Sequence, residues 1–321
     1  MTKTCFLHVG LHKTASSSFQ VTCAKNIAYL RKNGITYPLF NCDHADIQNI
    51  QNHSIPIFSL FTEQPQEYRI NKQSNILNNI KAVNSSYESQ LEKLLESSNK
   101  LIISGEDISV LSESSLSRFI QTILQHGYEI KATALVRSPY SAVCSEIQQM
   151  IKGGHYFELI SLNDRVPESF RAESFSKLKV LENLKSVLRG SISFHSFKHA
   201  CMHAEGPVGF LLEKFLHQNP SNFKLHRANT SFSNLSVRVQ NEFNAVNPAL
   251  INTGLNPDFR KFPAKVDRRL KFSGKFLLTK NEYKLIEDFV QDETDALCSI
   301  TGIDLSDEKI KHSKPVSLRK R

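Results

Sequence analysis

The chain has 321 residues, and its 40 basic residues outnumber its 31 acidic ones, giving a formal net charge of +9. With 40% hydrophobic residues, 12 glycines and 11 prolines, the composition excludes fibrous and low-complexity proteins. No apolar run has the length of a membrane span, and six widely spaced cysteines without a CxxC pair are typical of reduced thiols, so we expect a cytoplasmic protein.

Strand and helix patterns alternate from the N-terminus. CFLHVG at 5–10 predicts a buried strand, and apolar residues from Phe19 to Leu30 at helical spacing predict a helix that stops at Gly34. ITYP at 35–38 is a candidate second strand. The polar stretch 41–100 then reads as an insertion that contains helix.

The alternation continues beyond the insertion. KLIISGED at 100–107 predicts a strand, followed by a helix with apolar residues from Leu116 to Leu124. KATALVR at 131–137 predicts the next strand, Ser138-Pro139 an N-cap and first helical turn, and ISFHSF at 192–197 a later strand. This order predicts an α/β fold with a parallel sheet whose strands end at one ligand-binding edge.

Basic residues are concentrated in two segments. Residues 258–275 carry a net charge of +5, and residues 309–321 contain six basic and no acidic residues, so the rest of the chain is net −2. This pattern argues against a nucleic-acid partner and favours local anion sites. We expect the segment 258–275 to be a solvated basic face, a lid over a ligand, or a landing surface for an anionic saccharide.

The turn GLHKTASSSFQ at 10–20 carries the clearest signal for chemistry. It brings a lysine and four hydroxyl residues to the junction between a strand and a helix, where backbone N–H groups and the helix dipole favour a phosphate or sulfate. Lys13 follows Gly10 by three residues and a second glycine is missing, so the turn is not a standard nucleoside-triphosphate loop. The alternative is an N-cap cluster beside an exposed lysine.

A second cationic element lies at the end of the strand 131–137. Arg137 ends that strand, and Ser145 lies two turns into the following helix on its polar face. The two side chains are expected to converge on one anion, although an arginine at a strand end is often only a surface or ion-pair residue.

Together these segments resemble the sulfotransferase family. HVGLHKTASSSFQ is similar to its 5′-phosphosulfate loop, LVRSPYSAVCSEIQQMIKGG at 135–154 to its 3′-phosphate element, and ISGED at 103–107 to the strand end between them. RANTSFSNLSVRVQNEFN at 227–244 and FLLTKNEYKLIEDF at 276–289 resemble the later part of bacterial carbohydrate-type members. The sequence departs from the family's usual residues at His12, Ala15 and Ser16-Ser17.

The resemblance implies a P-loop-like three-layer fold around a central parallel sheet. It also implies 3′-phosphoadenosine 5′-phosphosulfate (PAPS) as donor, a carbohydrate or glycolipid acceptor, and no metal. The chain is expected to form one domain over 1–305, with the insertion at 41–100 and a possible lid at 258–275, and a basic tail over 306–321. The residues implied to bind the donor are Lys13, Thr14, Ala15, Ser16, Ser17, Ser18, Arg137, Ser145, Arg227 and Asn229.

The chemistry of sulfuryl transfer assigns two roles. Lys13 is expected to neutralise charge on the leaving phosphate, and Glu106 is the first candidate for the general base that accepts the proton of the acceptor hydroxyl. His8, His44 and His53 are alternative bases, His44 and His53 as weak candidates for contact with the acceptor and His8 more as a core residue. A nucleotide-dependent phosphotransferase and a non-enzymatic anion-binding protein are the competing functions.

Overall fold

The computed structural model describes residues 2–43, 46–74, 76–227, 231–251 and 254–315. Short strands alternate with helices along the chain. The strands are β1 (Lys3–His8), β2 (Phe40–Cys42), β3 (Ile47–Ile50), β4 (Lys100–Ser104), β5 (Tyr128–Val136), β6 (Ile192–Ser196), β7 (Leu250–Ile251) and β8 (Gly254–Leu255).

The α-helices range from one turn to five turns. They are α1 (Ser16–Lys25), α2 (Ile27–Lys32), α3 (Ser54–Phe61), α4 (Arg69–Gln73), α5 (Ile80–Ser97), α6 (Glu113–Gln125), α7 (Pro139–Lys152), α8 (Leu178–Leu188), α9 (Phe197–Met202), α10 (Gly206–Phe210), α11 (Asn234–Val246), α12 (Ala264–Arg269), α13 (Lys280–Lys284) and α14 (Glu287–Thr301). A π-helical turn, Leu211–Phe215, extends α10.

The chain divides into two compact units. The first comprises Met1–Arg137, Leu178–Ala228 and Cys298–Asp304, and the second comprises Ser138–Lys177, Asn229–Leu297 and Leu305–Arg321. The expectation of one domain over 1–305 stays a prediction.

A four-stranded parallel sheet forms the centre of the first unit. Its strand order is β4-β1-β5-β6, and His8 of β1 pairs with both Ser104 of β4 and Thr133 of β5. The segments that follow β1, β4 and β5 therefore leave the sheet at the same edge. The predicted α/β class, with a central parallel sheet flanked by helices, is confirmed.

Helices cover both faces of this sheet. Successive residues of a strand point to opposite faces, and Cys5, Phe6 and Leu7 of β1 are all buried. Phe6 belongs to a core cluster with Phe19 of α1 and Phe210 of α10. Helix α6 packs against β5. This packing fixes the position of α1 relative to the end of β1.

The predicted strand 35–38 is wrong as a strand. Only Thr36 forms an isolated parallel bridge, to Leu101 of β4, and Pro38 cannot donate a ladder hydrogen bond. The insertion 41–100 contains the hairpin β2–β3 and three helices, of which α5 buries one apolar stripe, Val83, Tyr87, Leu91 and Leu95.

The second unit has its own core. It packs Val143 and Ile147 of α7 against Val237 of α11 and Phe276. Arg238 of α11 is completely buried and its guanidinium donates to both carboxylate oxygens of Glu282, over 2.5 and 2.8 Å. The basic segment 258–275 contains α12 and belongs to this unit.

Candidate functional site

The turn between β1 and α1 has an unusual backbone conformation. Lys13 and Ala15 both have a φ of 69°, the left-handed region, on either side of Thr14. Ala15 is the N-cap of α1 and has no side-chain oxygen to cap the first helical turn. Helix N-termini and turns of alternating handedness present backbone N–H groups to a common point, which favours an anion.

The hydroxyl of Ser16 lies buried at the start of α1. Ser16 is 2% exposed, and among the described residues its Oγ has no hydrogen-bond partner. A buried hydroxyl left unsatisfied costs about 1–3 kcal/mol, so a ligand that hydrogen-bonds there recovers that cost. A Cβ at Gly10 would lie 2.1 Å from Ser16 Oγ, so a side chain at position 10 would displace the Ser16 hydroxyl.

The other hydroxyl residues of the turn differ in their availability. Thr14 is buried, and its hydroxyl donates to the Leu11 carbonyl oxygen over 2.5 Å, so only its oxygen lone pairs remain for a ligand. Ser17 is half-buried on the first turn of α1, and Ser18 is buried. Among the hydroxyl groups of this turn, that of Ser16 would therefore gain most from a hydrogen bond to a ligand.

Arg137 follows the last residue of β5 and reaches the same turn. Its Nε donates to the Lys13 carbonyl oxygen over 2.7 Å, although the two residues are 124 positions apart in the chain. Its guanidinium carbon lies 4.2 Å from the centroid of the Phe197 ring, at the start of α9. The structure thus brings together two basic residues predicted to serve the two ends of one ligand.

An imidazole and two carboxylates lie beside Lys13. His12 Nε2 is 3.4 Å from Asp107 Oδ1, and His12 Nδ1 is 3.9 Å from Glu106 Oε1. Burial raises the pKa of Glu106 and the Asp107 charge adds to the rise, whereas the charges of His12 and Lys13 oppose it. Glu106 was predicted as a site residue from its place after β4. It lies close enough to Lys13 for the lysine charge to lower the pKa of its carboxyl group.

His53 lies in the protein interior, and both of its ring nitrogens form hydrogen bonds to the backbone. It is fully buried, its Nδ1 accepts from the Ser104 N–H over 2.9 Å, and its Nε2 donates to the Pro38 carbonyl over 2.8 Å. Burial lowers the pKa of His53 to about 4. Because both nitrogens are engaged within the protein, this environment does not fit the predicted approach of His53 to an acceptor.

His8 is also buried, on β1. Its Nδ1 is 2.8 Å from Ser104 Oγ, while its Nε2 has no hydrogen-bond partner among the described residues. Burial lowers the pKa of His8 to about 4, so the ring is neutral at physiological pH. His8 packs edge-on against Phe19 as a core residue.

The remaining predicted residues lie elsewhere. Ser145 is half-buried on α7 in the second unit. Arg227 is exposed in the first unit, and the neighbouring His226 N–H donates to Thr22 Oγ1 of α1 over 3.0 Å. His44 and Asn229 lie outside the described residues.

Sequence reasoning missed Asp107 and Tyr68 as members of the group around Lys13, and it noted His12 only as a departure from the family's usual residue. Asp107 directly follows Glu106, so the pair of acidic residues in GED was a usable signal. Tyr68, which donates to Asp107 Oδ2 over 2.6 Å, comes from the polar insertion, where no local pattern marked it.

Neither protein-family models nor curated proteins match this chain. Within the described ranges, none of the helices combines the length and apolar character needed to cross a membrane. Within the same ranges, no three histidine, cysteine or acidic side chains cluster as metal ligands would.

Proposed function

We propose that the protein transfers the sulfuryl group of PAPS to a hydroxyl of a carbohydrate or glycoconjugate acceptor. The observation that carries the proposal is the hydrogen bond from Arg137 to the Lys13 carbonyl, which joins two predicted anion-binding segments at the ligand edge of the sheet. PAPS has phosphate groups at two ends, so two cationic elements at one edge suit it better than a single anion.

The start of α1 suits the 5′-phosphosulfate. Backbone N–H groups of the turn and of Ser16 and Ser17 would donate to its oxygens, aided by the positive end of the helix dipole. The buried Ser16 Oγ supports this fit because it lacks a partner among the described residues. Thr14 would contribute only its lone pairs or backbone, since its hydroxyl proton is engaged by Leu11.

Arg137 would bind the donor's other phosphate. Its Nε donates to the Lys13 carbonyl oxygen and its guanidinium packs against the Phe197 ring, and these two contacts hold the group beside the turn. A guanidinium held in this way loses little rotamer freedom on binding.

The transfer itself requires an in-line displacement at sulfur. The acceptor oxygen forms a bond to sulfur while the bond between sulfur and the phosphate oxygen breaks, and that oxygen leaves with the electron pair. Lys13 would neutralise the charge that develops on the leaving oxygen, an effect typically worth about 10²–10³ in rate. The acceptor proton must pass to a base, and the group formed by His12, Glu106 and Asp107 lies next to Lys13.

Ligand-dependent stabilisation tests the donor part of the proposal. Thermal unfolding of the full chain should shift upward with 3′,5′-diphosphoadenosine, more than with 5′-AMP, which lacks the 3′-phosphate, and more than with ATP and Mg²⁺. A shift with ATP and Mg²⁺ alone would favour a phosphotransferase instead.

Transfer is tested with donor carrying a labelled sulfuryl group and unsulfated oligosaccharides ending in galactose, glucose or N-acetylglucosamine. Lys13→Ala should reduce transfer by about 10²–10³. Its matched control is Lys32→Ala, an exposed lysine in the last turn of α2, which should leave transfer unchanged. Normal turnover by Lys13→Ala would contradict the proposed mechanism, and so would salt-sensitive polyanion binding that survives this substitution without any transfer.

A further inference from the structure

The carboxylate of Asp107 is held between a tyrosine and a histidine. Tyr68 donates its hydroxyl to Asp107 Oδ2 over 2.6 Å, and the other oxygen, Oδ1, lies 3.4 Å from His12 Nε2. Asp107 also donates its backbone N–H to Ser54 Oγ over 3.0 Å. The carboxylate is thereby fixed on both sides, and its second oxygen is directed at the imidazole.

Tyr68 is itself rigidly placed. Its ring packs against Phe58 of α3, with centroids 4.5 Å apart. Burial, followed by the charge of Asp107, raises the pKa of Tyr68 above its ordinary value, so the phenol stays protonated and donates to the carboxylate. A tyrosine, an aspartate and a histidine in this order form a chain that ends one residue before Lys13.

We infer that His12 is the general base of this enzyme and that Asp107 is its positioning residue, an inference that rests on the proposed sulfuryl transfer. With Nε2–H directed at Asp107, the lone pair lies on Nδ1. As the acceptor oxygen attacks sulfur, its proton passes to Nδ1 and gives an imidazolium. The electron pair of the broken bond leaves with the phosphate oxygen, and the proton returns to water after product release.

Three observations favour His12 over Glu106 as the proton acceptor. The His12 side chain is 42% exposed, against 26% for Glu106, so it is the more accessible to an acceptor. Among the described residues Glu106 has no side-chain hydrogen bond to orient it, whereas Asp107 is oriented by Tyr68. Glu106 lies 3.9 Å from Nδ1, where its negative charge stabilises the imidazolium that forms.

The charged neighbours of His12 set the expected pH dependence. Glu106 and Asp107 face it from the segment after β4, and Lys13 adjoins it on its own turn, while the uncharged Tyr68 contacts Asp107. Because only a neutral imidazole can accept a proton, kcat should be lower at acidic pH and rise as the pH is raised.

Steady-state kinetics across pH, with an acceptor from the oligosaccharide panel, test the inference. His12→Asn should lower kcat by about 10²–10⁴ and abolish the rise of kcat with pH. The affinity for 3′,5′-diphosphoadenosine, measured by calorimetry, should stay within about twofold, because His12 is not assigned to the donor. Added imidazole should restore part of the lost rate.

Variants of Asp107 and Tyr68 test whether these residues position His12 or only stabilise the fold. Asp107→Asn and Tyr68→Phe should each lower kcat, Tyr68→Phe by about tenfold or less, and should shift the pH profile without changing the acceptor's KM by a similar factor. His126→Asn is the matched control, because His126 pairs with Glu92 over 2.9 Å outside the site. It should leave kcat and its pH profile unchanged.

The outcomes distinguish the inference from the proposed function. If the wild-type chain transfers the sulfuryl group, and His12→Asn keeps both kcat and its pH profile while Glu106→Gln loses them, Glu106 is the base and the inference is overturned alone. If the wild-type chain neither binds 3′,5′-diphosphoadenosine nor transfers the sulfuryl group, the proposed function fails and the inference fails with it.

Discussion

The left-handed conformation of Ala15 predicts that Ala15→Gly stabilises the protein. An L-residue in this region pays roughly 1–2 kcal/mol that glycine does not. Glycine in turn makes the unfolded chain more flexible, which costs about 0.4–1 kcal/mol. With a φ of 69° and a ψ of 16° at Ala15, the difference predicts a net gain of about 0.5–1 kcal/mol in the free energy of unfolding.

Ala24→Gly is the matched control, since it makes the same chemical change inside α1. There the backbone is helical, and glycine costs about 1 kcal/mol relative to alanine. Ala24 also packs against the core cluster of the first unit, so losing its methyl group adds to the cost. The two variants should therefore differ by about 2 kcal/mol, with opposite signs relative to the wild-type protein.

Urea unfolding followed by far-UV circular dichroism measures the effect as a shift of midpoint. The midpoint of the first transition should rise for Ala15→Gly and fall for Ala24→Gly. Ala15→Val adds a second test, because a β-branched residue is strongly disfavoured at positive φ and should lower the midpoint. Equal destabilisation by Ala15→Gly and Ala24→Gly would refute the left-handed assignment at position 15.

Three further predictions concern other parts of the molecule. Gly10→Ala brings a Cβ within 2.1 Å of Ser16 Oγ and should weaken binding of 3′,5′-diphosphoadenosine by tenfold or more in calorimetry, about 1.4 kcal/mol, whereas Gly190→Ala, which meets no atom within 4 Å, should not. The pKa of His53 is lowered from 6.5 to about 4, so the folded state binds its proton less readily than the unfolded chain. The free energy of unfolding obtained from urea curves should therefore fall as pH decreases from about 6.5 to 4, by up to roughly 3 kcal/mol from this residue, and should fall less in His53→Gln. Arg238→Met leaves a buried carboxylate unpaired in the second unit and should cost about 3–5 kcal/mol, measured as a drop in its thermal unfolding temperature; an unchanged temperature would contradict the buried ion pair.

The sheet was predictable because its strands are short apolar runs buried on both faces. The segments 5–10 and 131–137 carry this pattern, and the helices that follow them have clear apolar stripes. The segment 35–38 is also largely apolar, but whether it pairs along its whole length with the edge strand β4 depends on the surrounding fold. Local periodicity therefore predicted the central strands correctly and failed for this segment at the edge of the sheet.

The candidate site was predictable only where its residues share a local motif. Lys13 to Ser18 stand together in the sequence, and a lysine with hydroxyl residues at a helix start indicates an anion. The left-handed conformation at Lys13 and Ala15 gave no such signal, since neither residue is glycine. Tyr68 lies in the polar insertion, and its contact with Asp107 exists only through the fold.

The turn after β1 combines costs of two kinds, and a ligand can recover only one of them. The left-handed backbone at Lys13 and Ala15 persists whether or not an anion is bound, so the core around α1 must offset it. The buried Ser16 hydroxyl is different, because a donor oxygen beside it supplies the missing hydrogen bond. Ala15→Gly should therefore stabilise the protein without ligand yet add little to the stabilisation by 3′,5′-diphosphoadenosine, whereas Ser16→Ala should remove part of that stabilisation while leaving the ligand-free protein as stable as before or more so.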